Sequence, residues 1–135
     1  MFTERHSDLL DYFFSWVKDP DKQSIVVGIL CSDLEGELQE IALLFPIIEE
    51  TGKTPEELQE IWGLTEFQVD GLRALVRREG ENYLSYIRRI REVESARKVY
   101  LSELRVRLVR EVKDLDKHWK AVTEHGEAFG ILSRS

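Results

Sequence analysis

Residues 81–124 read ENYLSYIRRIREVESARKVYLSELRVRLVREVKDLDKHWKAVTE and form the longest part of the chain without proline or glycine. Because those two residue types disfavour helix interiors, their absence over about 40 residues predicts a helix. Apolar residues recur there in steps of three or four, which places them on one side of that helix. They are Tyr83, Ile87, Ile90, Tyr100, Leu101, Leu104, Leu108, Val112, Leu115, Trp119 and Val122.

A straight helix of about 40 residues would be about 60 Å long, which exceeds the width of a compact domain of this size. We therefore expect the helix to project, to bend near Asp114-Leu115-Asp116, or to pair with another copy as a coiled coil. Glu94 and Arg97 interrupt the apolar series, and polar residues at such positions can fix the register of paired helices. The predicted protein-interface residues on this helix are Ile87, Ile90, Arg97, Leu101, Leu104, Leu108 and Trp119.

The sequence before residue 81 shows shorter helical patterns. Residues 25–31, IVVGILC, resemble a buried strand in isolation, but apolar steps of three and four continue from Val26 to Ile48. A helix is favoured because no second strand-like run is present to pair with them, and Pro46 should kink this helix. The chain is thus predicted to be all-α: an acidic bundle of short helices at 1–80, the long helix at 81–125 and a flexible tail at 126–135.

A more local motif is PEELQEIWGLTEFQVDGLRA at residues 55–74. Thr54-Pro55 and Thr65 are typical helix starts, and Gly63 separates the two short helices. This arrangement, placed at 55–78, resembles the helix-turn-helix corner of DNA-binding proteins, among them small phage packaging proteins and repressors.

That resemblance implies that the second helix of the corner reads DNA, with Arg73, Arg77 and Arg78 close to phosphates. Glu66 and Asp70 should face outward there as well, and carboxylates oppose phosphate binding. A two-helix corner that only packs against the core is therefore favoured over one that binds DNA. An exposed Phe67 would indicate a protein contact.

The charges divide unevenly along the chain. Residues 1–70 carry four basic and sixteen acidic side chains, and residues 71–120 carry fourteen basic and eight acidic ones. On one straight helix a basic flank would lie beside the apolar side; its members are Arg88, Arg91, Lys98, Arg105, Arg110, Lys113, Lys117 and Lys120. This flank could follow nucleic-acid phosphates, but a solvated face or a contact with the chain's own acidic half is favoured. The candidate contacts to nucleic acid or an acidic partner are Arg73, Arg77, Arg78, Arg88, Arg91, Lys98, Arg105 and Lys113.

Signals for catalysis are weak. Glu111, Asp114, His118 and His125 would share one face of the long helix, but one helix alone cannot enclose a metal ion. We predict no metal, no cofactor and no catalytic residue. The single cysteine, Cys31, is expected in the core of a protein from a reducing compartment, and no apolar run is long enough for a membrane span.

The sequence therefore predicts a non-enzymatic, cytoplasmic protein that assembles with itself or with another helical protein through the long helix. A helix-turn-helix DNA-binding regulator or a phage-type packaging factor is the alternative. Membrane partners are not expected.

Overall fold

A computed structural model describes residues 3–32 and 34–134. Over these ranges the chain is helical and contains no strand, which confirms the all-α class. None of the described helices is long and apolar enough to cross a membrane. The elements are α1 (Glu4–Trp16), α2 (Pro20–Leu30), α3 (Gly36–Thr51), α4 (Pro55–Trp62), α5 (Glu66–Leu75), α6 (Tyr83–Arg91), α7 (Glu94–Glu111), a 3-10 turn (Val112–Asp114) and α8 (Leu115–Ser133).

Capping residues account for where α4 and α5 begin. The Thr54 hydroxyl accepts the backbone N–H of Glu57 at 3.1 Å, and the Glu57 carboxylate accepts the N–H of Thr54 at 3.3 Å. Thr65 and Gln68 form the same reciprocal pair at the start of α5. Each pair satisfies two backbone donors that a helix start leaves without an intrahelical acceptor.

Residues 25–30 lie in α2, so the helical interpretation of this stretch is correct and the strand interpretation is wrong. The predicted helix is nevertheless divided, because α2 ends at Leu30 and α3 begins at Gly36. Pro46 lies inside α3, which continues to Thr51. Cys31 is exposed at the end of α2 rather than buried, because the chain leaves the helix there.

Helix α7 is central and contacts α2, α3, α5, α6 and α8. Its apolar side contributes Ala96, Val99 and Leu104 to a core that extends from Leu9 in α1 to Leu132 in α8. The sequence ranges predicted as a bundle and a separate helix thus share one hydrophobic core.

The predicted helix from residue 81 is not continuous at its start. Helix α6 ends at Arg91, and Val93 has extended backbone angles of φ −116° and ψ 109° before α7 begins. Glu94 and Arg97, which interrupt the apolar series, coincide with this change of direction. From Glu94 to Ser133, α7, the 3-10 turn and α8 follow one another without an intervening loop.

Of the three arrangements expected for the long helix, the structure shows a bend. Asp114 departs from helical geometry at φ −135° and ψ 72°, and His118 does so at φ −113° and ψ 15°. Helix α8 then returns along α7, where His125 Nδ1 lies 2.7 Å from Glu111 Oε1. The two helices form an antiparallel hairpin that covers apolar surface within the monomer.

The prediction of a flexible tail is wrong for residues 126–133, which belong to α8. Ala128 and Leu132 are buried, and the Arg105 guanidinium lies 5.7 Å from the centroid of the Phe129 ring. Apolar side chains at helical spacing dock this segment on the core, and Gly126 and Gly130 do not interrupt α8.

Candidate functional site

The bend between α7 and α8 exposes a group of apolar side chains, which we call the corner patch. Its members are Val109, Val112, Leu115 and Trp119, with exposed fractions of 59%, 54%, 42% and 64%. All four lie within eleven residues around the bend, where the backbone departs from helical geometry at Asp114 and His118. Clustered exposed apolar side chains are typical of surfaces that contact other molecules.

The residues predicted as a protein interface divide by burial. Ile87, Ile90 and Leu104 are completely buried within this chain, so they are not available to a partner. Arg97, Leu101 and Leu108 are partly buried. Only Phe67 and Trp119 of the predicted set are exposed. The remaining members of the corner patch were missed because their exposure depends on the bend.

The basic flank does not form the single straight arc expected from one helix. Arg88 and Arg91 lie on α6, Lys98 and Arg105 on α7, and Lys113 in the 3-10 turn. These elements change direction at residues 92–93 and 112–118. An extended phosphate-binding track along one helix axis is therefore absent from the described part of the chain.

The two-helix corner at 55–78 is present. Gly63 ends α4 in the left-handed region at φ 64°, and three residues connect α4 to α5. Leu58, Leu64 and Val69 pack this corner into the core. Helices α4 and α5 thus pack against each other and against the shared core.

The outward face of α5 is mainly acidic. Glu66 and Asp70 are exposed there, and Arg73 donates to Glu56 at 2.7 Å and to Asp70 at 3.2 Å. The hydrogen bond with Glu56 raises the pKa of Arg73. Since these carboxylates compensate the charge of Arg73, this face offers little attraction to a phosphate backbone.

A cleft of about 640 Å³ lies between α3, α6, α7 and α8, and we call it the tyrosine cleft. The Tyr83 and Tyr100 hydroxyl oxygens are 3.0 Å apart, and Tyr86 donates its hydroxyl to the Leu75 carbonyl at 2.5 Å. Burial raises the pKa of all three phenols, so they are neutral at physiological pH.

Ionic side chains complete the lining of the tyrosine cleft. Arg107 donates to Glu103 at 3.1 Å, and Glu49 and Glu124 add two more carboxylates. Partial burial raises the pKa of Glu49, and the negative charge of Glu103 adds to that rise. Sequence spacing gave no signal for this cleft because its residues come from four helices.

The four residues considered for a metal site are only partly brought together. Glu111 and His125 meet across the α7–α8 hairpin, whereas Asp114 and His118 lie in the bend. Among residues 3–32 and 34–134, no group of three or more His, Cys, Asp or Glu side chains is arranged to hold a metal ion.

No known protein family matches the chain, and no curated protein sequence matches it significantly. Function is therefore inferred from the corner patch, the two-helix corner and the tyrosine cleft.

Proposed function

We propose that this chain is a non-enzymatic helical protein that assembles with further copies of itself through the corner patch. The observation that carries this proposal is the exposure of four large apolar side chains within eleven residues, led by Trp119 at 64%. Water contact with this much apolar surface is unfavourable, and association with another surface removes it.

Charge favours a second copy of the chain as the partner. The exposed ionic residues around the patch are three lysines and two aspartates, so their net charge is positive: Lys113, Lys117, Lys120, Asp114 and Asp116. Helix α1 exposes Glu4, Asp8 and Asp11, and its exposed Arg5 is paired with Glu40. The apolar rings of Phe14 and Trp16 are exposed there as well, with the Lys53 ammonium 5.7 Å from the Trp16 centroid. A corner patch docked on α1 of the next copy would bury apolar surface on both sides and bring opposite charges together.

Sedimentation velocity over a range of protein concentrations tests this assembly. Trp119→Lys should keep the chain monomeric at concentrations where the unmodified chain associates, because it removes the largest apolar group and adds a charge. Ile61→Lys is the matched control: Ile61 is 53% exposed on α4, outside the patch, and its replacement should leave association unchanged. Asp8→Lys with Asp11→Lys should weaken association by reversing the charge of α1.

A chain that stays monomeric at every concentration would contradict self-assembly. The same samples can be titrated with duplex DNA at increasing salt. Salt-sensitive binding that disappears on charge reversal of Arg73, Arg77 and Arg78 would favour the helix-turn-helix alternative instead.

A further inference from the structure

We propose that the tyrosine cleft binds an organic cation, namely a primary or quaternary alkylammonium group. The cleft volume of about 640 Å³ is within the range typical of small-molecule sites. The inference is independent of the corner patch, because the cleft lies among α3, α6, α7 and α8 rather than at the α7–α8 bend.

The aromatic rings supply the first part of the site. Tyr86 stands almost perpendicular to Tyr100, with ring planes at 87° and centroids 5.8 Å apart, and it is tilted by 42° against Tyr83 at 6.4 Å. The faces of such rings carry partial negative charge and attract cations, most strongly where water is excluded. Tyr83 is half-buried, whereas Tyr86 and Tyr100 are buried at 3% and 8% exposure, so a ligand would reach the face of Tyr83 and the face of Tyr86 that lies beneath Arg77.

A cation of the protein already occupies these ring faces. The Arg77 guanidinium lies 5.1 Å from the Tyr86 centroid and 5.7 Å from the Tyr83 centroid. Arg77 is exposed, so an incoming ligand can displace it without unfolding a helix. Its position shows that the rings accept a positive charge in this geometry.

The ionic residues of the cleft favour a cation over an anion. Arg107 is paired with Glu103 and is thereby compensated. Glu49 and Glu124 add two negative charges, and Arg77 adds one positive charge. The Arg89 guanidinium also lies 5.5 Å from the Tyr86 centroid, but it is paired with Glu81. Burial is the main cause of the raised pKa of Glu49, and a cation bound beside this carboxyl group would favour its charged form.

Choline and its uncharged isostere 3,3-dimethyl-1-butanol are the appropriate probes, because they differ in charge but hardly in shape. In an NMR titration of the full chain, choline should shift the ring resonances of Tyr83 and Tyr100 saturably, and the alcohol should not. Equal binding of the two probes would overturn the proposal, because it would show a purely apolar pocket. Absence of choline binding to both the unmodified chain and Arg77→Gln would overturn it as well.

Three substitutions in the lining of the cleft give the sign of the charge effect on choline binding. Glu49→Gln and Glu124→Gln should each weaken choline binding about two- to fivefold, while Arg77→Gln should strengthen it by removing a competing cation. Glu60→Gln, on the exposed side of α4, is the matched control and should change nothing. Weaker choline binding in Arg77→Gln, or tighter binding of 3,3-dimethylbutyrate than of choline to the unmodified chain, would show an anion site and refute the cation proposal.

Discussion

Gly71 permits the close packing of α5 against α7. A Cβ atom at this position would lie 2.5 Å from Ser95 Oγ and 3.1 Å from Ile41 Cδ1. The Ser95 hydroxyl donates to the Phe67 carbonyl at 3.0 Å, which fixes the start of α7 against α5. The glycine at residue 71 therefore allows two helices to approach each other closely, and no turn requires it there.

We expect Gly71→Ala to destabilise the fold by about 1–3 kcal/mol, since the added methyl group overlaps packed atoms. Gly126→Ala is the control, because no heavy atom lies within 4 Å of a Cβ built there and alanine favours helix. That variant should be neutral or more stable by up to about 1 kcal/mol. Urea unfolding of both variants measures the difference, and equal effects would contradict the packing explanation.

The sequence could identify apolar side chains but not the surfaces against which they pack. Ile87, Ile90 and Trp119 follow the same spacing rule, yet the first two are buried within the chain and Trp119 is exposed. On α5, Gly71 is buried although the neighbouring Asp70 is exposed. Spacing along one helix contains no information on which neighbouring helix approaches it.

At the scale of elements, Arg89 connects α6 to the end of α5. Its guanidinium donates to the carbonyls of Ala74 and Val76 at 2.8 Å each and forms an ion pair with Glu81 at 2.9 Å. The last carbonyl groups of a helix receive no hydrogen bond from within that helix, so a buried helix end needs donors from elsewhere. Arg89 thus supplies hydrogen bonds to carbonyl groups at the end of α5, and the ion pair with Glu81 holds its guanidinium in position.

This arrangement predicts a pH dependence at acidic pH. The hydrogen bond from Arg89 lowers the pKa of Glu81 from 4.5 to about 2 in the folded chain. A carboxyl group whose pKa is lowered by folding stabilises the fold above its unfolded pKa, and that contribution disappears as pH falls from about 4.5 to 2. Thermal unfolding should show this loss, and Glu81→Gln should flatten this part of the profile.

Glu79→Gln provides the comparison, because Glu79 is exposed two residues away. It should retain the acid-dependent loss of stability seen in the unmodified chain. If Glu81→Gln and the unmodified chain lost stability in parallel over this range, the Arg89–Glu81 pair would not be its source.

The starts of α4 and α5 could be predicted from sequence because Thr54 and Thr65 act locally through their own backbones. The break at residues 92–93 could not, because no proline or glycine marks it. Val93 is extended there while Ile90 before it and Ala96 after it are both completely buried. The requirement that α6 and α7 both face the core overrides the local preference for helix.

At the scale of the whole molecule, few of the basic-flank side chains form ion pairs with the acidic first half of the chain. Among the described residues, Arg110 is the one member of the basic flank that forms an ion pair with the first 70 residues, to Asp21 at 3.3 Å. Lys98 pairs within α7, with Glu94 at 3.3 Å. Burial of apolar surface around α7, rather than attraction between the halves, therefore holds the chain together, and much of the opposite charge stays available between copies.

The α7–α8 hairpin predicts a compact particle at high dilution. A folded chain of 135 residues should have a radius of gyration of about 14 Å, whereas a straight helix over residues 94–133 would alone span about 60 Å. Small-angle X-ray scattering should give the compact value at low concentration and larger values as copies associate. Trp119→Lys should retain the compact value throughout the series.

A dilute sample with an extended maximum dimension in both proteins would mean that α8 leaves α7 in solution, and the corner patch would then lose the bend on which its geometry depends.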